Sequence, residues 1–261
     1  SFIDDPTRIL RAARLESRLD FHLDPRSEEL IEDALPLLKR VSGDRIRHEL
    51  ELTFREDEPE QTLCRLAELG ALSCIHPDLQ CDKWLREKYQ ILRERFEPSV
   101  WELESEDLSF VHLAILSYRL DKQATRVLSE RLKVKREDEE DLLLMQALKR
   151  KLYELTELDR ASRIYHLLKL YPARVLAVTW IASESEIVRE RLLRYQTEWR
   201  LVEPEVTGDD LKAMGLDPGP LFGDLLTTLR DARLNGTVST RDQEIALVRQ
   251  LLASRQGEGE R

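Results

Sequence analysis

Apolar residues recur along the chain at three- and four-residue intervals, and no stretch sustains the alternation of a half-buried strand. The first helix is expected to start with Asp5 as its cap and Pro6 at its first helical position, and to run to about Leu19. A second follows Asp24-Pro25. A third starts near Ser42 and carries Arg45, Ile46, Glu49, Leu50 and Phe54. Pro59 opens a fourth that ends at Gly70. Leu108 to Leu116 is apolar nearly all round and reads as a central buried helix. Val175 to Ile181 is rich in β-branched residues that also suit a strand; Pro172 before it and the helical sequence after it favour a helix. Arg200 to Gly208 breaks the pattern and marks the best internal boundary. Beyond it, Thr207 to Asp210 and Thr240 to Gln243 are helix-starting caps. Gly215 to Gly223 is a turn into another helix, Asn235-Gly236 is a helix end, and Ser254 to Arg261 is a polar, frayed end. The fold class is therefore all-α, a multi-helix array.

Composition sharpens this. Hydrophobic residues make up 41% and charged residues 35%, with only 9 Gly and 10 Pro, which suits amphipathic helices with charged outer faces. The formal net charge of −10 argues against indiscriminate binding to nucleic acid or acidic membranes, so any RNA contact must come from a local basic strip. No apolar run approaches a membrane span, and nothing at the start has the form of a signal peptide. Cys64, Cys74 and Cys81 are an odd, unpatterned set that fits a reducing cytoplasm. The opening Ser1-Phe2-Ile3, without Met and leading straight into a capped helix, is what a piece of a longer chain would show.

The sharpest cluster is Asp4-Asp5-Pro6-Thr7-Arg8-Ile9-Leu10-Arg11-Ala12-Ala13-Arg14. Asp5 and Arg8 are three apart, so both side chains share one face of the first turn, and Arg11 and Arg18 extend it. Spacing alone also allows a plain N-cap at Asp5 with Arg8 as its ion-pair partner. Other clusters say less. Cys74, His76 and Cys81 lack the paired spacing of a zinc site, and buried core cysteines are the simpler account. The histidines include no adjacent His-Asp pair, and nothing marks a Ser-His-Asp triad. Arg131, Lys133 and Lys135, then Lys149 and Arg150, then Arg191 and Arg194 near Tyr195 and Trp199, are basic patches on helices. Each is either a solvated face or a phosphate track.

The motif Asp4-Asp5-Pro6-x-Arg8-x-Leu10-Arg11-Ala12-x-Arg14, continued by Arg18-Leu19-x-Phe21, resembles the nucleotide-selecting motif of the class II tRNA nucleotidyltransferase and bacterial poly(A) polymerase family. Val41-Ser42-Gly43-Asp44-Arg45-Ile46-x-x-Glu49-Leu50 resembles the helix-turn motif that follows in that family, with Arg45 and Glu49 as structural residues. Thr207 to Gly223 and Gly236-x-Val238-x-Thr240-Arg241 resemble its C-terminal region. The resemblance implies a neck over residues 1–55, a helical body over 56–203 and an RNA-binding tail over 204–261. Asp5 and Arg8 would read the base, and Arg11 would support them. Its partners would be tRNA or another RNA 3′ end, with ATP and possibly CTP. It further implies a catalytic head holding Mg2+ ahead of the first motif, with no cofactor in this chain itself, and the chain alone would then be inactive. Whether CCA, a single A or a poly(A) tail is made is not legible. The rival reading is a non-catalytic helical interaction module whose first helix is merely well capped.

Overall fold

A computed structural model describes residues 1–259, with side chains through Ser254. About 70% of the chain is helical, and no strand forms among the described residues. The chain divides into two compact units, Ser1–Lys151 with Tyr171–Glu186, and Leu152–Leu170 with Ile187–Arg261. These are units of packing, drawn on a different basis from the neck, body and tail that the resemblance implies.

The first unit holds α1 (Thr7–Leu19), α2 (Pro25–Leu38), α3 (Gly43–Thr53), α4 (Pro59–Glu68), α5 (Ala71–Ile75), α6 (Lys83–Glu94), α7 (Asp107–Ser117), α8 (Lys122–Leu132), α9 (Arg136–Lys149) and α12 (Ala173–Ala182). α1 packs on α3 and α4 through the stripe Ile9, Leu10 and Ala13, all fully buried or nearly so. α7 and α12 are the inner helices, packed on each other. The β-branched run in α12 is helical because burial on all sides outweighs a propensity cost of at most ~0.7 kcal/mol per residue. The one hydroxyl in that run is satisfied within the helix, Thr179 Oγ1 donating to the Val175 carbonyl at 2.8 Å. Phe96, Trp101 and Trp180 cluster beside it, with ring centroids 6.1 to 6.5 Å apart. After α1 the chain is turned by a buried carboxylate. Glu16 accepts from the Leu23 backbone N–H at 2.7 Å and from Arg65 Nε at 2.8 Å, and Arg65 also reaches Glu28.

The cysteines correct the expectation of free thiols. Cys64 on α4 and Cys81 before α6 form a disulfide, their Cα atoms 4.8 Å apart. An odd number of cysteines at irregular spacing gives no sign of which two the fold will bring together. Cys74 stays free, its thiol pushed up by burial. Among the described residues no group of three or more His, Cys, Asp or Glu side chains is placed to hold a metal ion.

The second unit holds α10 (Leu152–Glu157), α11 (Ala161–Leu168), α13 (Glu186–Thr197), α14 (Gly208–Ala213), α15 (Pro220–Leu234) and α16 (Arg241–Gly259). Asn235, at the expected helix end, is a docking residue. Its amide accepts from Ser162 N–H at 3.2 Å and donates to Ser162 Oγ at 2.9 Å, tying α11 to α15 beside a 2.7 Å contact of His166 with Asp231. Val206, Leu211, Leu225, Leu229 and Val248 form a core cluster of this unit. Glu244 is fully buried and accepts from the N–H groups of Glu205 and Val206 and from Arg233. α16 continues as helix to Gly259; side chains from residue 255 and residues 260–261, part of the end expected to fray, lie outside the described residues.

Both tail caps form as the sequence predicts. Asp210 N–H donates to Thr207 Oγ1 at 3.3 Å while Thr207 N–H donates to Asp210 Oδ2 at 2.8 Å, and Gln243 N–H and Thr240 exchange the equivalent pair. Thr207→Ala should cost about 1 kcal/mol and lower the melting temperature of the tail. Thr207→Ser should restore it, and a thermal melt of the three proteins checks this. The Thr207 N–H and hydroxyl, then Arg241, hold the Asp210 carboxyl below the usual carboxylate range. The stabilising contribution is therefore present at neutral pH and lost as the pH falls through that lowered value.

Candidate functional site

α1, which starts at Thr7 with Pro6 rather than Asp5 in its cap position, presents two different faces. Ile9, Leu10 and Ala13 go into the core, which turns Arg8, Arg11 and Arg18 outward, all exposed. None of the three makes a hydrogen bond or ion pair with the described residues, so Arg8 is not the partner of Asp5. That partner is Arg45, forty residues away. Arg45 Nη2 donates to Asp5 Oδ1 at 2.8 Å and lies 3.3 Å from Thr7 Oγ1. Thr7 donates to the same Asp5 oxygen twice, from its hydroxyl at 2.7 Å and its backbone N–H at 3.2 Å. Asp5 Oδ1 is thus saturated, while Oδ2 has no partner among the described residues. The Thr7 hydroxyl and backbone N–H, and after them Arg45, hold the carboxyl below the usual carboxylate range, so it is anionic at neutral pH.

A second tie sets the angle between α1 and α3. Arg14 is mostly buried and lies 3.6 Å from Glu49 and 3.2 Å from Glu56. The residues read from the sequence as structural, Arg45 and Glu49, are therefore one turn apart on α3, and each holds a charged residue of the first motif. Thr7 and Glu56 carried no signal in the sequence; their roles depend on contacts across the fold.

The expected basic patches are used unevenly. Arg131 donates to the carbonyls of Val41 at 2.9 Å and Leu38 at 3.1 Å, and Arg191 donates to the Leu155 carbonyl, so both work within the fold. Lys133 pairs with Asp44 at 3.0 Å. Arg194 stacks on Trp199, 4.8 Å from its centroid, and reaches Glu198 at 3.4 Å. Lys135 and Arg150 are exposed and make no such contact with the described residues. Lys149 donates to the Tyr118 carbonyl at 2.8 Å.

A cleft of about 920 Å³ opens elsewhere in the first unit, lined among others by Arg47, Phe54, His112, Lys135 and Arg174. Asp5, Arg8 and Arg11 take no part in it. Arg174 is committed to Asp138 and Asp141, and Arg47 to Asp44, Glu51 and the Lys133 carbonyl. Burial pushes the His112 imidazole down to about 4, so it is neutral. The rest of the lining mixes both signs, Arg55 and Lys135 with Glu106, Asp107 and Glu137.

Residues 20–82 match a family model described as the probable RNA and SrmB-binding site of polymerase A. The chain is 32% identical to an A-adding tRNA nucleotidyltransferase of Geobacter sulfurreducens over 97% of its own length and 30% of that protein. It is 26% identical to a CC-adding tRNA nucleotidyltransferase of Synechocystis over 95% of this chain and 64% of that one. Its fold is similar to that of the Thermotoga maritima CCA-adding enzyme solved in complex with tRNA, with a TM-score of 0.77, 26% identity, and coverage of 97% of this chain and 62% of the other. In each case the chain spans less than two thirds of its relative. No helix among the described residues is long and apolar enough to cross a membrane.

Proposed function

We propose that this chain, a relative of the tRNA nucleotidyltransferases and bacterial poly(A) polymerases across their helical region, is the nucleotide-reading and RNA-holding part of an enzyme that adds nucleotides to tRNA 3′ ends. The observation that carries this reading is the Asp5 site. One carboxylate oxygen is locked by Thr7 and Arg45, the other is unused, and Arg8 and Arg11 stand exposed with no partner among the described residues. A carboxylate capping a helix needs no free guanidinium groups beside it; a reader of bases needs both.

In this reading residues 1–55 are the neck, 56–203 the body and 204–261 the tail. ATP binds at the neck, with CTP as the second candidate there, and RNA lies along the body and tail. The attacking group is the RNA 3′ hydroxyl, and pyrophosphate leaves. Because the chain spans less than two thirds of its relatives, we assign Mg2+, and the chemistry at phosphorus, to another part of a longer, cytoplasmic protein. The roles left to these residues are to choose the base, hold the RNA and exclude the wrong nucleotide.

The test has a binding arm and an activity arm. This chain should bind a tRNA transcript at low salt and release it as salt rises, with the shallow slope of few phosphate contacts. The protein carrying the remaining domains should extend the same tRNA, and the nucleotides accepted distinguish A, CC and CCA addition. A chain that binds no tRNA even at low salt, in a protein that extends none, would leave the non-catalytic interaction module as the better account.

A further inference from the structure

Arg119 and Lys149 come together where the start of α6, the α7–α8 junction and the end of α9 meet, and Lys122, Arg150 and Lys151 stand next to these in the chain, whose formal net charge is −10. The carboxylates among them are Asp82 and Asp121, and both already cap helices. Asp82 accepts from the Leu85 N–H at 3.1 Å and Asp121 from the Ala124 N–H at 2.7 Å. Lys122, Arg150 and Lys151 are exposed and make no ion pair with the described residues.

Arg119 is held in place before any ligand arrives. Its guanidinium lies over the Trp84 ring, 4.7 Å from the centroid, and forks onto Asp82 with distances of 2.7 and 3.0 Å. Trp84 stacks on Tyr118, ring centroids 5.9 Å apart, and Lys149 sits 5.3 Å from the Tyr118 centroid. Burial, and after it Arg119, push the Lys149 ammonium down, while Asp121 acts the other way. Such an arrangement favours an anion, and the ordering of the Arg119 side chain has been met in folding rather than at binding. Base stacking is excluded, because the Trp84 ring is covered by Arg119 and Tyr118, and Tyr118 is buried. What remains is recognition of phosphate groups without regard to base.

We propose that this patch is a contact for the phosphate backbone of the bound RNA, separate from the residues that read the nucleotide. The choice of RNA over another polyanion rests on the tRNA-processing reading above. The contact should be indifferent to sequence and sensitive to salt.

The test compares wild-type chain with a Lys122→Ala, Arg150→Ala, Lys151→Ala triple variant, titrating each into a labelled tRNA transcript over a range of salt. All three side chains are exposed and make no ion pair with the described residues, so the melting curve should not move. The affinity should fall about tenfold at low salt, and the slope of log affinity against log salt should flatten by roughly one for each phosphate that is no longer neutralised. If the triple variant melts early, Arg150→Glu alone carries the same test. Wild-type chain that binds tRNA, with a folded variant that binds it equally well, overturns the patch and leaves the tRNA-processing reading standing. The patch is overturned equally if the variant weakens only in its hold on an acidic peptide such as polyglutamate. Wild-type chain that binds no tRNA overturns both readings together.

Discussion

Replacing Gly43 with Ala should destabilise the first unit by about 3 kcal/mol or more, although the same change in a helix normally stabilises by up to ~1 kcal/mol. Gly43 is the first residue of α3, and a Cβ there would lie 2.1 Å from the Arg131 carbonyl oxygen and 3.0 Å from the carbonyl carbons of Arg131 and Leu132. Those atoms are all backbone, at the end of α8, so no side chain can rotate away. The junction is also fastened from both sides. Arg131 donates to the Leu38 and Val41 carbonyls, Arg47 donates to those of Leu132 and Lys133, and Lys133 pairs with Asp44. Making room means parting α3 from α8 against all of these bonds. Arg45 is two residues further along, so the same displacement draws it from Asp5. A urea titration should show a lower midpoint with an unchanged slope. Gly208→Ala is the control: its Cβ would meet only the Phe222 ring at 3.7 Å, an ordinary contact, and the stability should stay within about 0.5 kcal/mol of wild type. A Gly43→Ala protein as stable as the control would show that the α3–α8 junction is not close-packed in solution.

The difference between Gly43 and Gly208 illustrates what a sequence can carry. Periodicity, prolines and caps placed the helices because those signals act within one or two turns. Thr207 and Thr240 cap as read, α12 is helical despite its β-branched residues, and the expected cap at Asp5 falls one residue short, since α1 starts at Thr7 with Pro6 in the cap position. Contacts made across the fold were another matter. Gly43 stood inside a motif, but nothing local says that its missing side chain faces another helix's carbonyl. The Arg45 bond to Asp5 joins residues forty positions apart, so three-residue spacing suggested Arg8 as the partner instead. The Cys64–Cys81 disulfide was hidden for the same reason. Arg131 and Arg191 read as surface charge, yet each satisfies backbone carbonyls within the fold. At the proposed nucleotide-reading site the residue types were legible and their mutual contacts were not.

Those contacts make the effect of Asp5→Asn specific. Asp5 Oδ1 accepts from Thr7 and Arg45, and the carboxyl is held anionic, so Oδ2 can only accept. Arg8, exposed and without a partner among the described residues, can only donate. Adenine and cytosine each place an exocyclic amino donor beside a ring-nitrogen acceptor, which fits one acceptor and one donor. Guanine and uracil place a carbonyl beside a ring N–H, so like groups face each other and are left unpaired, at about 1–3 kcal/mol each. In Asp5→Asn, the amide oxygen keeps the Thr7 and Arg45 bonds, and the amino group takes the place of Oδ2. The fold should survive, since Asn serves at a helix start nearly as well as Asp. The acceptor has become a donor, so the preference for A and C over G and U should fall by about tenfold or more, while Arg8→Ala should weaken use of every nucleotide and narrow the preference. In the wild type, selectivity should be flat through neutral pH and decline only in acid, as the pH falls through the lowered value of Asp5. Incorporation of each of the four nucleotides, measured in the protein that carries the catalytic domain and with helicity checked in parallel, decides the matter. Unchanged preference in both folded variants would leave Asp5 as a turn-stabilising carboxylate, and the base would have to be chosen elsewhere.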